Sequence, residues 1–192
     1  MKNIKNLLKL ILPGKLFNWY RVYKIWLFDG YSMKSYSQEG EDMILRRIFE
    51  GQKDGFYVDV GAHHPKRFSN TYYFYKLGWC GINIDAMPGS MVAFNKSRPR
   101  DINLEVPISS NKQILSFFVF NEPALNSFSA DLSKEREYLE NDYRIVSKIK
   151  LETDTLENVL DAYMSPTVTI DFMSIDVEGF DFDVMQSNNW NK

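Results

Sequence analysis

A chain of 192 residues with 44% hydrophobic and 25% charged residues has the length and composition of one globular domain able to bury a core. Its net charge of −2 argues against a general polyanion binder, so no nucleic-acid partner is expected. Cys80 is the only cysteine, which rules out a disulfide within the chain and points to a reducing, cytoplasmic home.

The charge is unevenly spread. Residues 1–34 hold seven Lys and Arg against the single acid Asp29, leaving 16 basic and 24 acidic residues for the remainder. Ile4, Leu7, Leu8, Ile11 and Leu12 recur at helical spacing, with Lys2, Lys5 and Lys9 on the other side. The apolar run 7–12 is broken by Lys9, falls short of the roughly 18 residues of a membrane span, and has no small-residue cleavage site. A second helical run over 16–28 carries Phe17, Trp19, Tyr20, Tyr23 and Trp26. Two readings of this basic, aromatic arm stay open. It packs on its own domain or a second subunit as a homo-oligomer contact, or it lies peripherally on an anionic membrane at the inner face. The expected division is an arm over 1–34 and a domain over 35–192.

Ser37 is a candidate N-cap for a helix over 38–50 that Gly51 ends. From there strands and helices alternate. FYVDV (56–60) reads as a compact buried strand, and 69–78 as a helix closed by Gly78. GINID (81–85) is a second strand, followed by a helix over 88–97 with Pro88 in its first turn. NLEVPI (103–108) is a third strand. ILSFFVF (114–120) and IVSKIKL (145–151) read as an inserted strand pair around a charged helix over 132–141. A helix over 155–164, opened by Thr153 or Asp154, precedes a strand over 170–179 that ends in acids.

This alternation implies a mostly parallel sheet covered on both faces, in which a ligand sits beyond the carboxyl ends of the strands. The residues just after each strand are therefore the candidates: Asp59 to Ala62, Asp85, Ser109 and Ser110, and Asp176 to Glu178. A glycine directly after the first strand permits close backbone approach, and an acid ending the next strand can accept hydrogen bonds from ribose hydroxyls. Asp85 follows Asp59 by 26 residues, near the spacing of a nucleoside site. Between Gly61 and Gly78 there is no further glycine, so the G-x-G-x-x-G turn that a dinucleotide pyrophosphate requires is missing. That pattern disfavours NAD and suits S-adenosylmethionine, which carries a carboxylate and an amine instead.

Four blocks, YSQEGEDMIL (36–45), FYVDVGAHHPKRFSNTYYF (56–74), GINIDAMP (81–88) and IDFMSIDVEGFD (170–181), resemble the FkbM-type family of S-adenosylmethionine-dependent methyltransferases. The resemblance implies a class I methyltransferase, Rossmann-like α/β sandwich, and O-methylation of a hydroxyl on a sugar, glycan or glycosylated small molecule. It implies Asp59, Gly61 and Ala62 as the cofactor turn, with His63 at a position usually held by Asn, His64 at the family's His, and Pro65 in place of a second glycine. Ser69 matches a hydroxyl for the cofactor carboxylate, although an N-cap explains it equally well. Asp85 matches the ribose-binding acid, and Ser109 or Ser110 would lie near adenine. The family fold continues with further strands after the last helix, so the sheet is expected to be truncated at the C-terminus.

Methyl transfer needs an oxygen nucleophile in line with the methyl group, and a base or metal to activate it. Asp176 is the candidate base, with Glu178 in support; capping of the next helix is the plain alternative for Asp176. Adjacent His63 and His64 without nearby cysteines make a weak metal signal, and no metal site is assigned. An oxygen-ligated Mg²⁺ on Asp176 would be chemically reasonable. The alternative function is a non-catalytic nucleoside-binding module tethered to membrane or partner through its arm.

Overall fold

The computed structural model describes residues 14–27, 32–139 and 142–191. The helix expected over 4–12, residue 28 and the end of the charged helix at 141 lie outside them. Two compact units are present, Met1–Ser35 and Tyr36–Lys192. In the first, helix α1 (Gly14–Leu27) exposes Trp19 and Tyr23, one turn apart, and their rings stack at 5.4 Å. No helix of the described residues is long and apolar enough to cross a membrane.

The second unit is an α/β fold around a four-stranded parallel sheet. Its elements are α2 (Glu41–Ile48), β1 (Phe56–Val60), α3 (Tyr72–Leu77), β2 (Cys80–Asp85), α4 (Met91–Ser97) and β3 (Ile102–Glu105). An inserted antiparallel pair follows, β4 (Ile114–Phe120) and β5 (Ile145–Glu152), enclosing a 3₁₀ turn (Pro123–Leu125) and α5 (Ala130–Tyr138). The chain then returns through α6 (Leu156–Tyr163), β6 (Phe172–Ile175) and α7 (Asp181–Gln186). Strand order is β3-β2-β1-β6, so β1 lies at the centre and the chain's direction across the sheet reverses beside it.

Side chains alternate across each strand, which gives the sheet two different faces. Val58, Val60, Ile82 and Ile84 form an apolar face that packs under Leu156, Val159 and Leu160 of α6 and Val184 of α7. The opposite face begins aromatic, with Tyr57, Phe74 and Trp79 clustered together and Phe172 and Phe49 packed against them. One residue pair further along, it turns polar. Register places Asn83 and Ser174 beside Asp59, and Asn103 beside Asn83, a polar row across all four strands.

Buried Arg98, at the end of α4, supplies this face with a charge. Its Nε donates to Asp101 Oδ2 at 2.8 Å, and Nη2 donates to the Tyr57 hydroxyl (2.8 Å) and Thr71 Oγ1 (3.0 Å). Asp101 also accepts from Tyr57 OH, Gly81 N and Asn83 Nδ2. Burial raises the Tyr57 phenol, so it stays protonated and donates.

Several helix starts differ from expectation. Ser37 does not cap a helix at 38. Its Oγ accepts from Asp42 N and donates to the buried Asp42 carboxylate, and α2 starts after Gly40, whose φ is +92°. The helix expected from 69 begins at Tyr72, because Ser69 and Thr71 bond within the buried network. At its end Gly78 closes it with φ +113° as expected. Pro88 lies in a turn before α4, where Ser90 N donates to Met87 O. β3 stops at Glu105, short of 108, and β6 is confined to Phe172–Ile175 within the expected 170–179. α5 starts at Ala130, capped by Ser129. Thr155 caps α6, while Thr153 bonds the backbone of Asn111 and Gln113.

Removing one partner of a buried charge pair leaves the other charge unpaired at a cost of about 3–5 kcal/mol. Arg98→Ala is therefore expected to lower unfolding free energy by about that amount in urea denaturation. A loss below about 1 kcal/mol would mean that the network is not needed for the fold.

Candidate functional site

The carboxyl ends of β1 and β2 and the loop after β3 open onto a cavity of about 320 Å³. On the sheet side its wall is built by Val60, Gly61, Asp85, Met87, Val106 and Ile108. His63, His64 and Arg67, after β1, form one flank. The insertion closes the other with Phe117, Pro123, Asn126 and Phe128. Phe117 and Phe128 touch at 4.7 Å between ring centroids and pack with Ala86 and Met87, so the inserted hairpin rests on the strand ends.

Gly61 has φ +84°, a conformation that side chains with a Cβ disfavour. A Cβ there would lie 1.9 Å from the Asp176 carbonyl oxygen, so its missing side chain admits β6 backbone as well as shaping the cavity wall. Gly61 N and Ala62 N both donate to Ile84 O, which pins the turn to β2. Asp85 then organises both neighbouring loops. Its Oδ2 accepts from His63 N at 2.9 Å and its Oδ1 from Met87 N at 2.8 Å. Burial raises the Asp85 carboxyl, and these two backbone donors oppose that rise.

The two histidines are held differently. His63 has φ +50°, stacks against Phe68, and buries its Nε2 with no hydrogen-bond partner in the cavity wall. Burial lowers its pKa, with the Asp85 charge acting the other way. His64 Nδ1 accepts from Lys66 N (3.0 Å) and Arg67 N (2.9 Å). Arg67 in turn makes two hydrogen bonds to Glu122, at 3.1 and 3.2 Å, joining the loop after β1 to the start of the 3₁₀ turn.

Of the residues expected to hold a cofactor, Gly61, His63 and Asp85 share the cavity wall. Asp59, Ala62, Ser69 and Ser109 stand behind it. Asp59 is buried and accepts from Thr71 Oγ1 at 2.7 Å; burial raises its carboxyl, against the hydrogen bond and the Arg98 charge. Ala62 packs with Met91 and Phe94. Ser69 Oγ accepts from Tyr72 N and, at 3.4 Å, from Arg98 Nη1. Ser109 donates its N–H to Asp154 O, and its Oγ accepts from Gln113 Nε2.

Asp176 follows β6, its backbone against Gly61 and its neighbour Val177 in the cavity wall. Partial burial, and then the charges of Glu178, Asp181, Asp59 and Glu41, push its pKa up to about 6. The residue keeps open surface, so water screens part of this push. It does not cap α7: Asp181 does the local work by accepting from Val177 N at 3.0 Å. Glu178 sits at φ +53° and is clasped by the insertion, with its carboxylate paired to Arg136 and its carbonyl accepting from Ser127 Oγ at 2.6 Å. Arg136 also donates to Leu125 O, at the end of the 3₁₀ turn. Among the described residues no group of three or more His, Cys, Asp or Glu side chains is placed to hold a metal ion, so the Mg²⁺ expectation finds no ligand set there.

Sequence reading missed Arg98, Arg136, Glu122 and the phenylalanines of the insertion. A local signal existed only for Glu122, whose Glu-Pro step at 122–123 suits a turn.

A family model described as Methyltransferase FkbM domain matches residues 59–192. No curated protein and no solved structure matches the chain.

A carboxyl raised in the folded state binds its proton more readily there than in the unfolded chain. Its ionisation therefore costs stability as pH climbs from the ordinary carboxyl value of about 4 through about 6. Asp176→Asn is expected to raise Tm above pH 7, by at least about 1 °C, with the gain shrinking as pH falls toward 4. Calorimetry at both pH values checks this, and a gain independent of pH would sink it.

Proposed function

The chain belongs to the FkbM methyltransferase family, and from that membership we propose that it is an S-adenosylmethionine-dependent O-methyltransferase acting on a hydroxyl of a sugar, glycan or glycosylated small molecule. The observation that carries the reading is the strand-end cavity itself, with Gly61 and Asp85 in its wall and Val177, the neighbour of the Asp176 carboxylate, beside them.

The residues suit such a cofactor. Asp85 keeps acceptor capacity beyond its two backbone bonds, since each carboxylate oxygen accepts more than one donor, and ribose hydroxyls are donors. The buried, unpartnered Nε2 of His63 calls for a polar ligand group. Apolar Met87, Val106, Ile108, Phe117 and Phe128 offer a dry site for a flat base. When bound, the cofactor supplies an electrophilic methyl on a sulfonium.

What the chain must supply is position and a proton acceptor. Asp176 accepts the proton of the acceptor hydroxyl as the new bond forms, and a base with a pKa near 6 is better matched to that work than an ordinary carboxylate. Glu178, tied to Arg136, holds the Asp176 loop rather than exchanging protons itself. Asp59 supports the turn from behind through Thr71.

Calorimetry should show S-adenosylhomocysteine binding, and Asp85→Asn should weaken it at least about tenfold, or about 1.4 kcal/mol. Absence of binding by the folded protein defeats the reading. With labelled methyl donor and a panel of hydroxylated glycans, kcat is expected to rise with pH through about 6 and then level. Asp176→Ala should spare binding of S-adenosylhomocysteine while cutting kcat by about 10²–10⁴.

A further inference from the structure

The hydrogen bonds around His64 fix more than its position. Two backbone N–H groups, from Lys66 and Arg67, point at Nδ1, so that nitrogen is an acceptor and carries no proton. The ring's one proton then sits on Nε2, at the far side from the turn. Protonating Nδ1 would set an N–H against two others, and burial together with the Arg67 and Lys66 charges lowers the His64 pKa in the same sense. His64 is thus a neutral ring locked in one tautomer. It cannot act as a general base, because the nitrogen with a free lone pair is already occupied by the turn.

The ring lines the cavity beside Arg67. A fixed N–H donor in a locally positive setting matches an anionic oxygen better than a second donor. Phosphate is the poorer match: Arg67 has both terminal nitrogens committed to Glu122, and a single neutral donor suits one oxygen of a monoanion.

We propose that His64 forms a carboxylate subsite, donating its Nε2–H to one oxygen of a ligand carboxylate in the cavity. Two ligands carry that chemistry: the amino-acid end of the cofactor, and a uronic acid acceptor. The first source rests on the methyltransferase reading; the tautomer and the second do not.

His64→Asn is the informative variant. Its Oδ1 can stand in for Nδ1 toward the two backbone donors, while nothing replaces the Nε2–H. Calorimetry would compare S-adenosylhomocysteine with its decarboxylated analogue, S-adenosyl-3-thiopropylamine, which keeps the amine. Glucuronate would be titrated separately. If the cofactor's carboxylate is bound, His64→Asn weakens S-adenosylhomocysteine about tenfold and leaves the decarboxylated analogue unchanged. If the acceptor's carboxylate is bound, the loss is confined to glucuronate. Equal effects on both adenosyl ligands with glucuronate unchanged, or no effect on any ligand, overturn the subsite. ¹⁵N NMR of the free wild-type protein gives an independent readout, expected to show His64 protonated at Nε2 alone near pH 7; a proton on Nδ1 overturns the proposal. A wild-type protein that binds neither adenosyl ligand would defeat the methyltransferase reading, and the NMR and glucuronate measurements would still decide the role of His64.

Discussion

The structure depends on a charge placed where sheets are usually apolar. Arg98 and Asp101 are fully or nearly removed from water, and their separate desolvation would cost several kcal/mol each. The pair persists because its hydrogen bonds are met from every side: Tyr57 on β1, Gly81 and Asn83 on β2, and Thr71 at the entrance to α3. Each of those groups is in turn fixed by the pair. The geometry of α3 and α4 against the sheet is therefore set by directed bonds, where apolar packing would tolerate sliding.

That directedness reaches the cavity through Asp59 and the segment around it. Asp59 belongs to the polar row, not to the cavity wall, and its bond to Thr71 fixes the two ends of the 61–71 stretch relative to each other. Ser69 N donates to Tyr36 O at 3.0 Å, which brings the 36–42 segment, and with it the charge of Glu41, toward Asp176. Partial burial is the first cause of the raised Asp176 carboxyl and the neighbouring Glu178 and Asp181 charges come next, so Asp59 and Glu41 add only a smaller push from other segments.

The parallel sheet was legible because FYVDV and GINID are short, dense apolar runs separated by helix-length stretches, and the inserted strand pair showed in ILSFFVF. The strand-end rule located the cavity, and Gly61, His63 and Asp85 lie on it. Failures came where a polar residue's partner is remote in sequence. Arg98 reads as a solvated cation at a helix end, and nothing near it says that the hydroxyl of Tyr57, 41 residues earlier, accepts a hydrogen bond from its Nη2. Glu178 and Arg136 are 42 residues apart, so their pairing, and with it the supporting role of Glu178, has no local signature. Ser69 shows the reverse case. Capping and ligand binding were equally readable from sequence, and the structure has the hydroxyl accepting from Tyr72 N inside the buried network.

The insertion is gripped at two places whose surroundings differ. Arg67 and Glu122 keep 48% and 29% of their side-chain surface, whereas Arg136 and Glu178 keep 17% and 27%. Dissolved ions screen exposed charges far more than sheltered ones. Raising ionic strength therefore weakens the Arg67–Glu122 attraction at the histidine flank more than the Arg136–Glu178 attraction at the Asp176 loop, while the apolar contacts of Phe117 and Phe128 with the strand ends are left in place.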